Sequence, residues 1–350
     1  MFEDLYQKLG FWSKTGPHGD VVLSTRVRLA RNMASMRFPH RQEESELALI
    51  RSIARRFATE SSFSENLSIV DLGSLGSADR RLLRERNIIT SEMESSAHSL
   101  VIIGGADNFI IMVNEEDHFR IQVIKPGFQI METYSLADKV DDELNRFVTY
   151  AYSDDFGYLA TCPSNVGTGL RVSTMLHLPA IAMARAVPDA ARSVRDYSVE
   201  MKGTLGDVSK TMASIYLVAN RASLGKSEVD ILEEMDEVTT MLVEMEGEAR
   251  DDLLSKYGKQ LEDRIWRSYG IIRYSRIIAY PDAMEHLSNI RLGIILSVIK
   301  NMELYKINDL MVTMQPSHLQ RVANRVFADG TECDVFRADH LRTHFEGAGT

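Results

Sequence analysis

Cys162-Pro163-Ser164-Asn165-Val166-Gly167-Thr168-Gly169-Leu170-Arg171 is the stretch from which the rest of this chain can be read. Gly167 and Gly169 flank Thr168, so the backbone can turn sharply there and bring N–H groups close to an anion. Arg171 follows with a planar cation whose paired donors match a phosphate. Cys162-Pro163 sets the angle at which the chain enters the turn, because proline restricts both itself and the residue before it. A Gly-Thr-Gly turn alone is an ordinary surface turn. Ten residues in this order read as a phosphate-handling loop that also carries one of the chain's two cysteines.

Outward from the loop, Val21 to Leu29 alternates, with Arg26 and Arg28 on one face and Val27 and Leu29 on the other, which is strand periodicity. Ser99–Gly104, Phe109–Asn114 and Phe119–Ile124 are β-rich runs separated by turn residues, and predict adjacent antiparallel strands. Residues 43–59, 79–86, 135–152 and 227–255 read as helices, 171–187 as apolar with helical spacing, and 157–161, 194–201 and 214–219 as strands. The charge run 79–86 reads as a solvated face. After about residue 256 only helical segments follow, at 259–280, 282–300, 305–312 and 334–345. The expected organisation is an arm at 1–19, a mixed strand-and-helix domain at 20–255 and a helical domain at 256–350.

The 350 residues suffice for two domains, and 44% hydrophobic with 26% charged residues is the balance of a soluble globular protein. A net charge of −10 argues against general nucleic-acid binding and suits basic partners. Two cysteines give no disulfide framework, which fits a reducing cytoplasm. Neither a signal peptide nor a run of about 18 apolar residues is visible, so no membrane association is expected.

The loop resembles the signature of the guanidino (phosphagen) kinase family. Ser24-Thr25-Arg26-Val27-Arg28 resembles that family's first nucleotide-binding strand, and Asn114-Glu115-Glu116-Asp117-His118-Phe119-Arg120 its acidic catalytic strand. Only 23 residues precede the first motif, and the remaining length lies at the C-terminal end. That layout is similar to the bacterial protein-arginine kinases of the family, the McsB type. Gly157-Tyr158-Leu159, Leu224-Gly225-Lys226-Ser227-Glu228 and the segment Asp334 to Ala338 agree with it. The resemblance implies an α+β fold: an antiparallel sheet flanked by helices, glutamine-synthetase-like, plus a C-terminal helical domain that makes a homodimer.

It also implies roles. Arg26, Arg28, Arg120 and Arg171 would grip ATP, with Mg2+ carried by the nucleotide rather than by a protein metal site. The nucleotide-contacting segments would be Ser24, Thr25, Arg26, Val27 and Arg28; Arg171, Val172, Ser173, Thr174 and Met175; and Lys202, Gly203, Thr204, Leu205, Gly206 and Asp207. A guanidinium is a poor nucleophile and stays protonated at neutral pH, so a carboxylate must orient it and draw off its proton. Glu116 takes that role and Asp207 clamps the other edge, where arginine kinases carry glutamate; Glu115 is expected to be structural. Cys162 would lie near the same guanidinium, its thiolate form favoured by the arginines. His118 and His177 are expected to be packed rather than basic catalysts.

Three residues besides Asp207 depart from the family pattern. Lys202 stands where an arginine is usual and loses the bidentate fork. Asn87 stands where these kinases tend to have a histidine near the adenine. Cys333 replaces the first arginine of a phosphoarginine-recognition motif, leaving Asp334 and Arg337 as the phosphoarginine-binding pair. Three readings therefore stand open: a protein-arginine kinase, a kinase of a free guanidino compound, and a non-catalytic adaptor that presents clients to a protease. For the first, the resemblance implies protein substrates including a heat-shock repressor, a zinc-binding activator protein and a Clp-type ATPase partner.

Overall fold

Alternation along Val22–Arg31 buries Val27 and Leu29 on one side and leaves Arg26 and Arg28 half-exposed on the other. In the computed structural model, which describes residues 14–104 and 109–346, this strand (β1) runs through the middle of an eight-stranded antiparallel sheet. Its neighbours are β5 (Phe119–Pro126) and β8 (Leu170–His177). Beyond β5 lie β4 (Phe109–Val113), β3 (Leu100–Gly104) and β2 (Leu67–Asp71); beyond β8 lie β10 (Ile215–Asn220) and β9 (Val199–Gly203). A small hairpin, β6 (Tyr152–Ser153) and β7 (Gly157–Tyr158), precedes the cysteine loop. Residues 1–13 of the expected N-terminal arm lie outside the described residues.

One face of the sheet is dry. Val27, Leu29, Ile121, Val123, Val172 and Leu176 pack there against α1 (Glu44–Glu60), α4 (Ile130–Asn145) and the first half of α7 (Glu228–Tyr274). The other face is covered only at its two ends. At one end α2 (Ser77–Glu85) and α3 (Ser91–Ser95) bury Leu83 and Met93 against Val101, Ile110 and Met112. At the other end the helical domain packs against Ala213 and Ile215. Between the two covers the arginine face stays open.

Five structural expectations change. Residues 171–187 form β8 and then a short helix, α5 (Pro179–Met183), because the apolar run pairs between β1 and β10 and Pro179 opens a new helix at its first turn. Residues 194–196 are a 3-10 turn, so β9 begins only at Val199; α6 (Val187–Ser193) lies between α5 and that turn. α4 starts at Ile130 and ends at Asn145, earlier at both ends than expected. The helix from Ser227 does not stop at Ser255: it runs to Tyr274 across a break at Tyr257 (φ −135°, ψ 25°), so one helix serves both cores. The helical domain, with α8 (Tyr280–Ile295), α9 (Leu304–Thr313) and α11 (Gly330–Phe345), gains one helix the sequence did not announce, α10 (Pro316–Ala323). Among the described residues no helix is long and apolar enough to cross a membrane.

The two cores are joined by buried polar contacts. Arg291 of α8 is fully buried and donates to His177 Nδ1 (2.8 Å), the Asp20 carbonyl (2.8 Å), the Gly19 carbonyl (2.5 Å) and Asn308 Oδ1 (2.9 Å). His177 Nε2 then donates to Ser288 Oγ at 2.7 Å. At the α2 end, His318 Nδ1 donates to Glu85 at 2.9 Å and its Nε2 accepts from Arg86 Nε at 3.0 Å. Both imidazoles act as acceptors toward an arginine and are therefore neutral. Burial, with Arg291 and Arg250, pushes His177 well down, and burial with Arg86 pushes His318 down although Glu85 opposes.

Groups with depressed folded pKa values bind fewer protons than their unfolded counterparts. Their contribution is fully present above the ordinary histidine value of about 6.5 and is lost as pH falls through the folded values. Denaturation midpoints should therefore fall as pH drops below about 6.5, and His318→Gln should have a shallower slope. An identical slope in wild type and variant would remove His318 from the account.

Candidate active site

The strand register builds the arginine face. Arg28 lies opposite Gln122 on one side and Arg171 on the other; Arg26 lies opposite Ser173 and donates to its Oγ at 3.4 Å. Arg120 is two residues from Gln122 and shares the same face. Sheet pairing thus brings together cations that are far apart in sequence.

Their electrostatics show what the face lacks. Burial and the neighbouring Arg120 and Arg171 push the Arg26 guanidinium down to about 10. Arg28 is pushed well down by burial and by the other three arginines, with Glu115 alone opposing. A guanidinium does not deprotonate in a protein, so these pressures express repulsion that a bound polyanion relieves. Arg28 Nε is buried and has no partner.

Glu116 does not sit in the strand. It occupies the turn between β4 and β5, where Asn114 adopts φ 55°, so the even spacing to Arg120 is not pleat alternation. The turn nonetheless brings Glu116 to 3.6 Å from Arg120. Glu115 turns the same way and pairs with Arg120 more closely, at 2.7 Å, its side chain 3% exposed and its second oxygen unpaired. Burial, with Asp117, Glu115 and Glu92, raises the Glu116 carboxyl above its ordinary range although Arg120 opposes. Glu92, Glu115, Glu116, Arg120 and Thr161 line one cleft of about 580 Å3. Buried polar atoms without partners cluster here, at Asn114 Oδ1, Glu115 Oε2 and Thr161 Oγ1, as expected of a site that awaits a ligand.

The cysteine loop spends four of its backbone N–H groups on the protein itself. Gly167 N–H donates to Tyr158 O and Thr168 N–H to Ser223 O, while those of Asn165 and Val166 close the 3-10 turn. The glycines answer to crowding: at Gly167 (φ 114°) a Cβ would lie 2.4 Å from Ser223 O, and at Gly169 (φ 68°) 2.7 Å from Ala30 O. Arg31 fixes the loop. Its guanidinium donates to Thr168 O at 2.9 Å, pairs with Asp141 at 2.7 Å and lies over the Tyr158 ring at 3.7 Å. Asp117 accepts from Asn32 Nδ2 (2.7 Å) and from Thr161 N–H (2.8 Å), which ties the start of the loop to the Glu116 turn. Cys162, next to Thr161, is partly exposed and its Sγ lies 3.1 Å from Ser164 Oγ.

Several expected residues do not reach the cleft. Thr25, Val27, Val172 and Thr174 face the dry side, because alternate residues of a strand point to opposite faces. Asp207 is exposed in the turn after β9, held by Ser209 N–H (2.9 Å) and Ser209 Oγ–H (2.6 Å), and does not line the cleft. Leu205 is 64% exposed. Arg337 is not presented to a ligand: it is 1% exposed and donates to Met314 O and Ile278 O (both 2.9 Å), Asp334 and Cys333 Sγ (3.3 Å), four of its five N–H groups, while Asp334 is partly exposed and paired with it. His118 is fully buried; its Nδ1 accepts from Met33 N–H at 3.0 Å and its Nε2 lies 2.9 Å from Arg37 O, a packed role.

Sequence reading missed Glu200. It accepts from Arg171 at 2.6 Å and from Lys202 at 2.9 Å, and these bonds hold its carboxyl below the usual range although burial opposes. The i, i+2 spacing to Lys202 on one strand was the available signal. Glu200 occupies the cation edge where phosphate would bind, so Glu200→Gln should tighten Mg-ATP binding by roughly threefold to tenfold. An unchanged or weaker affinity in an equilibrium titration would show that Glu200 does not compete.

Comparison with known proteins shows what the chain is similar to. The ATP:guanido phosphotransferase C-terminal catalytic domain matches residues 48–249, and the protein-arginine kinase McsB C-terminal domain matches residues 258–350. A protein-arginine kinase of Halalkalibacterium halodurans is 39% identical over 336 residues, 95% of this chain and 94% of that protein. One of Bacillus subtilis is 36% identical over 342 residues, 95% and 93% respectively. Among solved structures, the duplicated taurocyamine kinase of Schistosoma mansoni with bound transition state analog components superposes with TM-score 0.59 at 23% identity, covering 71% of this chain and 37% of that one. A lombricine kinase gives 0.58 at 21% identity, covering 70% of each. These two likenesses concern the fold.

Proposed function

Because the chain belongs to the ATP:guanido phosphotransferase family, among the protein-arginine kinases, we propose that its open sheet face binds Mg-ATP and that Glu116 prepares a protein arginine for phosphorylation. The observation that carries this is the convergence of Arg26, Arg28, Arg120 and Arg171 beside an acidic cleft with unpaired buried oxygens. The arginines fit a triphosphate by charge and by the unpaired Arg28 Nε. In this reading Mg2+ is carried by the nucleotide. When bound, Mg2+ neutralises phosphate charge.

The chain's own residues then do two things. The arginines align the γ-phosphoryl and stabilise charge in its loose transition state. Glu116, with a raised pKa, accepts a guanidinium proton as the new N–P bond forms and the bond to the β-phosphate oxygen breaks, releasing ADP. Glu92 and Glu115 add negative charge that favours a cationic side chain over a neutral one. Asp207 would contribute only if the turn after β9 folds over the cleft.

The substrate is a protein rather than a free guanidine. Incubated with Mg-ATP, the chain should modify arginines of an unstructured protein and leave free arginine and creatine unphosphorylated; the reverse preference would overturn this assignment. A homodimer belongs to the same proposal, supported by exposed Ile271, Tyr274 and Ile277 on the helical domain, and light scattering of the pure chain reads it. So do a cytoplasmic location, a zinc-binding activator and delivery of marked proteins to a Clp-type protease, which pulldown with each partner checks.

A further inference from the structure

The cleft that holds Glu116 is larger than one guanidinium needs. Its volume of about 580 Å3 falls within the roughly 300–1,000 Å3 that takes a whole drug-sized ligand. A single arginine side chain reaching Glu116 fills only part of it. The remainder runs between α3, at Glu92 and Ser96, and the strand ends at Ser99 and Asn114.

Charge in the cleft does not balance. Three carboxylates line it, those of Glu92, Glu115 and Glu116, against the guanidinium of Arg120. Glu115 takes that guanidinium at 2.7 Å. A substrate arginine supplies one further cation, which Glu116 receives, and Glu92 is left over. The two glutamates of α3 show the contrast. Glu94 pairs with Arg84 and with Arg81 (3.7 Å). Glu92 makes no ion pair among the described residues, and its Oε2 accepts from Ser91 Oγ–H at 3.0 Å. Hydrogen bonds from its own N–H, Ser91 and Thr90 hold its carboxyl below the usual range although burial opposes, so it stays charged at neutral pH.

The wall of the cleft is also short of donors. Asn114, 7% exposed, donates from Nδ2 to Leu47 O (3.0 Å) and His98 O (3.1 Å), which fixes its amide and leaves Oδ1 without a donor. Lysine and arginine side chains bring several N–H donors and no acceptor, which is what such a wall lacks. We propose that Glu92 and this donor-poor wall take a second cationic side chain, a lysine or arginine beside the arginine that is phosphorylated. This rests on reading the cleft as the place where Glu116 receives a protein arginine. The substrate is then a basic segment rather than an isolated arginine. Glu92 meets that segment away from the transferred phosphoryl group, so it acts on KM more than on kcat.

The test uses the full chain, Mg-ATP and two peptides of equal length. Each carries one arginine, flanked on both sides by lysine in the first and by glutamate in the second. Wild type should favour the lysine-flanked peptide by about tenfold in kcat/KM. Glu92→Gln should reduce that preference to within about threefold, through KM, while kcat and Mg-ATP affinity stay within about twofold. Glu92→Lys should abolish or reverse it. Glu65→Lys makes the same charge change at an exposed position in the turn before β2, and should keep the preference. Circular dichroism checks that each variant is folded. Equal turnover of both peptides by wild type, a preference that survives at Glu92, or one that Glu65→Lys removes as well, overturns the selection alone. A wild type that phosphorylates neither peptide overturns the reading of the cleft and this proposal with it.

Discussion

Glu116→Gln should lower kcat by about 10²–10⁴-fold while leaving Mg-ATP affinity nearly unchanged. The separation follows from geometry. Glu116 contacts Arg120 only at 3.6 Å and is 39% exposed, whereas Glu115 keeps the 2.7 Å pair that positions the same guanidinium. Removing the Glu116 charge should therefore leave the Arg120 pair with Glu115 intact and withdraw the group proposed to accept the substrate's proton. Steady-state rates on a protein substrate, with nucleotide affinity measured by titration, decide the point. Equal losses in rate and in affinity would make Glu116 a nucleotide-site residue instead.

Arg291→Met should destabilise the protein by about 3–5 kcal/mol, the largest stability effect expected of any single substitution considered. Methionine fills similar volume, so little of the cost is a cavity. The cost arises because the His177 ring, two backbone carbonyls and Asn308 lose their donor in a fully buried place. Asp20 and Gly19 precede β1 and His177 ends β8, so the damage falls on the strands that carry the arginine face. Denaturant unfolding should show a lower midpoint. A change below about 1 kcal/mol would mean that water replaces the guanidinium at these acceptors.

Much of the fold was legible because its pattern is local. Arg26 and Arg28 alternate with aliphatic residues, and the runs at 99–104, 109–114 and 119–124 become three neighbouring strands. β8 was not legible, since Val172, Thr174 and Leu176 face the dry core while Ser173 meets Arg26 and Met175 packs against the helical domain's core on the other face. With both faces occupied, the run lost the polar alternation that marks a strand. The loop glycines were visible, but not where the N–H groups of Gly167 and Thr168 go, because the acceptors Tyr158 O and Ser223 O come from elsewhere in the chain. Arg31 and Asp141, 110 residues apart, gave no local sign of pairing. Arg337 matched a ligand-binding motif, yet its donors satisfy the carbonyls of Met314 and Ile278, a demand only the folded domain creates.

The account's central claim is that the arginine face and its acidic turn move phosphate from ATP to the guanidinium of a protein. Mass spectrometry of an unstructured protein incubated with this chain and Mg-ATP, handled without acid, tests it most directly. The account predicts phosphoarginine, absent when Arg28→Ala or Glu116→Gln replaces wild type. ATP bound but no phosphoarginine formed, with an activator partner supplied, would contradict it and leave a binding protein in its place.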